Sequence, residues 1–182
     1  MKIEVIKKET FKTSEWSGGT TTEFYLYPKD GSYAQRRFDI RLSSATLDDE
    51  EAVFTKLPGV YRSLMLLDGE IDLRINGKSD RVKPFSPIEF TGNDYTVSKG
   101  KAVDFNLMSR FKGGYTKIIG FPSEVEVHDG FYAFYCIACD VEVTSLNKRI
   151  KVEKGDIIIV SGEGKILLRG DQFAVEAFSP IN

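Results

Sequence analysis

Arginine and carboxylate side chains, rather than histidines or thiolates, are the residues whose type and spacing could do chemistry in this sequence. Arg62 opens an alternating stretch with Leu64 and Leu66 on its own phase, so a strand there carries the guanidinium to the same side as two apolar residues. An arginine turned inward needs an anion. Either a protein carboxylate such as Glu23 or Glu70 pairs it, or it waits to clamp a ligand carboxylate with a bidentate fork. Asn106 shares a phase with Asp104 and opposes Phe105 and Leu107, so its amide could hydrogen-bond a ligand or satisfy backbone groups. Arg41 alternates with Ile40 and Leu42, on a face that is either solvated or the mouth of a pocket. Upstream, Trp16 precedes Gly18-Gly19-Thr20-Thr21-Thr22, where two glycines permit close backbone approach and the hydroxyls of Thr20 and its neighbours offer donors. A phosphate loop would add a lysine and a following helix, and the sequence has neither. The plain reading is a loop entering a Thr-rich strand, with Trp16, the only tryptophan, as a pocket wall or a packed plug.

Other chemistries lack their residues. The transition metals of β-barrel enzymes are held by two or three imidazoles and a carboxylate, and this chain has one histidine. That residue, His128, sits in Val125-Glu126-Val127-His128-Asp129-Gly130, which reads as a turn between two halves of the chain. No loop of clustered Asp and Asn suggests calcium or magnesium, so no metal or other cofactor is expected. Cys136 and Cys139 lie in an apolar run without a second ligand pair or a helix N-terminus, which makes them buried thiols rather than redox or zinc residues. No Gly-x-Ser-x-Gly elbow is present. Any enzyme activity would have to use a pocket carboxylate, Glu23 or Glu70, as acid or base.

The elements that must position these residues are strands. Apolar residues recur at period two in Phe38–Ser43 and in Glu70–Ile75, and the second stretch runs into Asn76-Gly77, the type I′ hairpin signal. Pro28-Lys29-Asp30-Gly31 and Leu57-Pro58-Gly59 mark further turns, and Asp156–Val160 is a β-branched run suited to burial on both faces. A content of 13 Phe and 8 Tyr favours strands as well. A net charge of -2 with dispersed Lys and Arg gives no footprint for nucleic acid, and the polar N-terminus and absence of a long apolar run point to a cytoplasmic protein with no membrane contact.

Laid over itself at an offset of 70, the sequence places residues 62–110 on 132–180 without a gap, with strand patterns and turns in phase. Only six of the 49 pairs are identical, among them Val82 with Val152 and Ile88 with Ile158. Regular turn spacing in all-β chains could produce such a match, and so could a duplicated small barrel, which is the reading preferred.

Five segments carry a family resemblance: Trp16-Ser17-Gly18-Gly19-Thr20-Thr21-Thr22-Glu23, Phe38–Ala45, Phe54–Arg62, Leu66–Glu70 and Asp104-Phe105-Asn106-Leu107-Met108. In order and spacing they resemble the HutD/Ves family of small bicupin-like proteins with an RmlC-type cupin fold. Phe90-Thr91-Gly92-Asn93-Asp94 adds a looser match, and beyond about residue 115 the resemblance is to architecture alone. The family pattern has Asn where Ser17 stands and often Arg where Thr22 stands, which puts ligand identity in doubt here.

The resemblance implies an all-β, jelly-roll type fold of two fused cupin-like barrels, residues 1–122 with the pocket and residues 123–182 as a degenerate barrel packed on it as one compact unit. It also implies a metal-free binding protein for a small carboxylate, urocanate-like or formylglutamate-like, regulatory in histidine utilisation or stress response, and it turns Arg62 toward the ligand. The ligand-binding set expected is Arg62, Asn106, Glu23, Arg41, Trp16, Thr20 and Glu70. The alternatives are a cofactor-independent isomerase or hydrolase, and a structural bicupin in which a protein carboxylate caps Arg62. Exposed edge strands make a homodimer reasonable.

Overall fold

A computed structural model describes residues 1–16, 19–48, 51–146 and 148–181, so Ser17 and Gly18 of the first motif lie outside the described residues. Among the described residues the chain forms 19 strands and one short 3-10 turn, Lys8–Thr10, as the period-two patterning requires. In order these are β1 (Lys2–Ile6), β2 (Lys12–Trp16), β3 (Gly19–Tyr27), β4 (Ile40–Leu47), β5 (Ala52–Val53), β6 (Tyr61–Gly69), β7 (Ile71–Ile75), β8 (Lys78–Val82), β9 (Ile88–Thr91), β10 (Thr96–Lys99) and β11 (Ala102–Ser109). They continue as β12 (Tyr115–Gly120), β13 (Ser123–Val127), β14 (Phe131–Tyr135), β15 (Val141–Ser145), β16 (Lys148–Val152), β17 (Ile157–Ser161), β18 (Gly164–Arg169) and β19 (Phe173–Ser179).

The strands sort into two compact units, residues 11–115 and residues 1–10 with 116–182. The first unit has a six-stranded sheet, β2-β3-β4-β11-β6-β9, and a four-stranded sheet, β5-β10-β7-β8. Leu64, Leu66, Leu47 and Phe90 of the larger sheet pack with Ile71, Leu73 and Val82 of the smaller one in a single core cluster. The expected closed barrel is not formed. The run from β8 to β9 carries Pro84 and Pro87, which have no N–H to donate, and its contact with β6 is one isolated bridge, Leu66 to Pro84. Side-chain packing, not a continuous ladder, joins the two sheets.

The second unit repeats the plan with a sheet β1-β17-β14-β19-β12 and a sheet β13-β18-β15-β16. Its core gathers Phe134, Val143, Ile158, Val160 and Leu168, and Ile157 to Val160 are buried on both faces. β1 belongs to this unit by pairing with β17, Lys2 opposite Ser161 through Ile6 opposite Ile157. Asp156, fully buried, holds the following turn by accepting hydrogen bonds from Lys7 Nζ at 2.7 Å and the Lys8 backbone N–H at 3.0 Å.

The offset of 70 holds in the pairing itself. Ile71 faces Val82 as Val141 faces Val152, and Leu64 faces Ile88 as Phe134 faces Ile158. Ser109 faces Tyr61 as Ser179 faces Phe131. Even the hairpin turns agree: Asn76 has φ 49° before Gly77 at 85°, the type I′ geometry, and Leu146 has φ 48° in the equivalent place. His128 is exposed between β13 and β14, inside the second unit, and so is not a turn between the units. Cys136 is buried and Cys139 partly so, both as free thiols, and burial pushes Cys136 up to about 12, where no nucleophilic thiolate forms.

Candidate functional site

A cavity of about 260 Å³ opens in the first unit. Its polar wall comes from the centre of the six-stranded sheet, where β11 lies between β4 and β6. Met108 faces Arg41 on one side and Arg62 on the other, and Asn106 faces Ser43 and Leu64. A register shift between Val103 and Asp104 sets the phase that turns Asp104, Asn106 and Met108 inward together, while Phe105 points to the opposite face and stacks on Phe24 at 6.1 Å. The opposite lining is apolar, with Leu47, Ala52, Val53 and Phe54, and Trp16 stands 38% exposed at the edge.

Two arginines in this wall have opposite circumstances. Arg41 is satisfied: Nε donates to Glu23 Oε2 at 2.8 Å, Nη1 donates to Ser43 Oγ at 3.1 Å, and the guanidinium lies 4.0 Å over the Tyr33 ring. Arg62 is only 4% exposed, donates from Nη2 to the Thr55 carbonyl, and sits between the rings of Phe54 and Phe90 at 5.8 and 5.5 Å. Its Nε is buried with no partner, and among the described residues no carboxylate forms an ion pair with it. Burial pulls its pKa down, against the opposing pull of Tyr33 and Asp104, which records the cost of taking a guanidinium out of water.

Asn106 is 5% exposed, and its Oδ1 is buried without a partner. Asp104 is 2% exposed; its carboxyl accepts a hydrogen bond from the Ala45 N–H at 2.7 Å, and its backbone carbonyl accepts one from the Ser44 hydroxyl at 2.6 Å. Burial raises its carboxyl to about 7, against the opposing pull of that N–H and of the charges on Arg41 and Arg62. The wall thus presents an unused donor, an unused acceptor and a carboxyl poised near neutrality, in a space closed to bulk water on one side.

The structure brings Arg62, Asn106, Arg41 and Trp16 together around the cavity. Glu23 stands one layer back, on Arg41. Thr20 does not line the cavity: its hydroxyl is 2.8 Å from that of Thr46, and Thr21, opposite Ala45, takes the inward phase instead. Glu70 lies at the exposed surface, where it accepts from Arg81 Nε at 2.9 Å, so neither Glu23 nor Glu70 caps Arg62. Sequence reasoning passed over Asp104, Ser43, Tyr33 and Phe54. Asp104 did carry a signal, as a carboxylate on the same phase as Asn106 in a largely apolar central strand; Tyr33, from the β3–β4 connection, carried none.

The family model HutD matches residues 8–175. This chain belongs to the HutD family. No curated protein matches it. HutD from Pseudomonas fluorescens SBW25, in a structure described as the formate condition, is similar over 100% of both chains with 20% identity and a TM-score of 0.73. A conserved protein of unknown function from Pseudomonas aeruginosa PAO1 covers 98% of each chain at 19% identity and a TM-score of 0.83. A cupin 2 conserved barrel domain protein from Leptotrichia buccalis is similar at a TM-score of 0.62 with 11% identity, over 98% of this chain and 96% of its own. Together they give this HutD family member an all-β fold of the cupin type.

The metal that cupin enzymes hold does not fit this HutD family cavity. Its described polar lining is two guanidiniums, one amide, one carboxyl and the hydroxyls of Ser14, Thr21, Tyr33, Ser43 and Thr55, a set with no imidazole or thiolate in which two cations repel a divalent one. Among the described residues no three His, Cys, Asp or Glu side chains are grouped to hold one. The second unit offers no replacement. At the offset of 70, Arg62, Asp104, Asn106 and Met108 become Tyr132, Ala174, Glu176 and Phe178, and the rings of Tyr132 and Phe178 pack together at 4.8 Å. No helix among the described residues is long and apolar enough to cross a membrane.

Proposed function

We propose that this protein binds a small carboxylate in the first-unit cavity, on Arg62 with help from Asn106, and acts as a metal-independent regulatory binding protein in histidine utilisation. The observation that carries the reading is Arg62: a buried guanidinium with an unpartnered Nε and, among the described residues, no ion pair to a carboxylate, facing a cavity of carboxylate size. A ligand carboxylate supplies both the missing acceptor and the missing charge. The neighbouring Asn106 amide adds a donor, and Arg41, neutralised by Glu23, is held in place beside it. The apolar lining of Phe54, Val53 and Leu47 suits the carbon skeleton of a urocanate-like or formylglutamate-like acid. Formate, named for the Pseudomonas fluorescens relative's structure, is the smallest probe.

The strand orders and registers shared at the offset of 70 support the view that the two units are a duplicated cupin barrel, a bicupin in which one copy kept the site and the other filled it with aromatic packing. Asp104 favours a second reading, a cofactor-independent isomerase or hydrolase, because a carboxyl near 7 can exchange protons at neutral pH.

Trp16 is the only tryptophan and stands at the cavity edge, so its fluorescence reports occupancy. Titration with formate, urocanate and formylglutamate, checked by calorimetry, should give saturable binding that Arg62→Gln weakens by about 30-fold or more, the loss of a buried charged pair. No binding of any of these acids by the folded protein refutes the proposal, and their conversion during incubation selects the enzymatic reading.

A further inference from the structure

We propose that Asp104 is a further ligand-binding residue, which takes up a proton from solvent when a carboxylate docks on Arg62 and presents the resulting O–H to that carboxylate. The inference rests on the carboxylate reading of the cavity and adds to it the form in which the ligand is held: an anion together with a proton.

Asp104 lies on β11 two residues from Asn106, in the same inward phase, between the strands that carry Arg41 and Arg62. The charged groups acting on it are Arg41 from β4, with Glu23 of β3 behind it, and Arg62 from β6, while Tyr33 and Arg36 of the β3–β4 connection act on Arg62. The cavity residues from β5 and the segment after it, Ala52 to Thr55, include no titratable group. Glu23 already neutralises Arg41 at 2.8 Å. Among the described lining residues Arg62 is therefore the cation not held in an ion pair, and Asp104 and an incoming anion compete for it.

Two carboxylates cannot both stay ionised around a single unpaired guanidinium in a desolvated cavity. The ligand, a simple carboxylate with an ordinary acidity near 4, keeps its charge in contact with Arg62. Asp104 is the group that yields, because only the Ala45 N–H bonds it and burial already holds its proton to about neutral pH. The step balances: one proton leaves solvent and joins the Asp104 carboxylate, and no covalent bond to the ligand forms. The new O–H then donates to the ligand oxygen that Arg62 does not use, which converts a like-charge repulsion into a hydrogen bond. Neutral Asp104 is thus part of the recognition surface, and ligands reach the site with a linked proton.

The test uses the full chain, with formate and formylglutamate as probes, followed by Trp16 fluorescence and by calorimetry in two buffers of different ionisation enthalpy. In the wild type, affinity should be flat at acidic pH and fall about tenfold per pH unit above about 7, a loss of roughly two orders of magnitude between about pH 6 and about pH 9. Calorimetry at about pH 8 should show uptake of close to one proton per site. Asp104→Asn, isosteric with the protonated acid and able to keep the Ala45 bond, should bind both acids independently of pH and as tightly as the wild type does at about pH 6. Wild-type affinity that does not change with pH overturns the proposal while leaving carboxylate binding intact. So does a folded Asp104→Asn protein that no longer binds, because the carboxylate would then be serving a ligand donor as an anion. If Arg62→Gln binds as the wild type does, or if the wild type binds neither acid at any pH, the carboxylate reading itself fails, and this proposal with it.

Discussion

Replacing Asp104 with asparagine should make the unliganded protein more stable above neutral pH and leave it nearly unchanged in acid. The reasoning is linkage. In the unfolded chain the Asp104 carboxyl titrates at its ordinary 3.8, and in the folded protein burial raises it to about 7. The folded state therefore holds the proton more tightly. The stability this proton contributes is fully present below about 3.8 and is lost as pH rises through about 7. A separation of about three pH units, at about 1.4 kcal/mol each, sets the full loss at about 4 kcal/mol, of which roughly 2.5 falls between about pH 5 and about pH 8. Asparagine cannot ionise, yet it keeps the shape and the acceptor for the Ala45 N–H. Urea unfolding of both proteins at about pH 5, 6.5 and 8 isolates the Asp104 contribution as the difference between the two curves, because every other titrating group is shared. That difference should grow in favour of the variant by about 2 to 3 kcal/mol across the range. A difference that stays flat refutes the reasoning. A variant less stable than the wild type at about pH 8 refutes it more severely, since the ionised carboxylate would then be held by Arg41 and Arg62 strongly enough to outweigh its burial.

Arg62→Met should fold with a melting temperature equal to or above that of the wild type while losing all response to formate, because the substitution removes a buried cation that no carboxylate among the described residues holds in an ion pair and leaves an apolar chain between Phe54 and Phe90; a large loss of stability by thermal denaturation would count against this account of Arg62. Asp156→Ala should cost about 2 kcal/mol and selectively raise hydrogen exchange in residues 1–10, since its carboxylate holds the Lys7 side chain and the Lys8 N–H. Because those bonds depress the Asp156 pKa, its contribution is present above about 3.8 and lost as pH falls through the lower folded value, so Asp156→Asn should flatten the acid limb of the stability curve. Leu146→Asn should stabilise by about 0.5 to 1 kcal/mol in chemical denaturation, because a leucine at φ 48° that is 96% exposed is strained and gains little from burial.

What the sequence disclosed and what it hid follow the same physical line. Strands and turns were legible wherever local chemistry dictates them: Asn76-Gly77 makes its type I′ turn, Pro28 to Gly31 closes with a 2.9 Å hydrogen bond, and Ile157 to Val160 is buried on both faces. The inward turn of Arg62 and Asn106 was legible because period two carries a side chain to the face of its neighbours two residues away. Their neighbours across the sheet were not, because cross-strand register is a long-range property. Met108 opposite both arginines, Glu23 on Arg41 rather than Arg62, and the Asp104 bond to Ala45 all depend on pairing β11 with β4 and on the shift at Val103. Thr20 and Thr21 differ by one residue, and only register tells which faces the cavity. Glu70 was drawn in by its charge alone, and the end of β6 delivers it to Arg81 at the surface. The offset of 70 is the exception that shows the rule. A self-comparison with six identities in 49 pairs preserved long-range information, because two stretches that share turn spacing also share which strands can meet. The same offset relates the register of β7 with β8 to that of β15 with β16. Applied once more, it says why the site is single: where the first unit turns a guanidinium and an amide inward, the second places Tyr132 and Glu176, and Phe178 closes the space against the tyrosine ring.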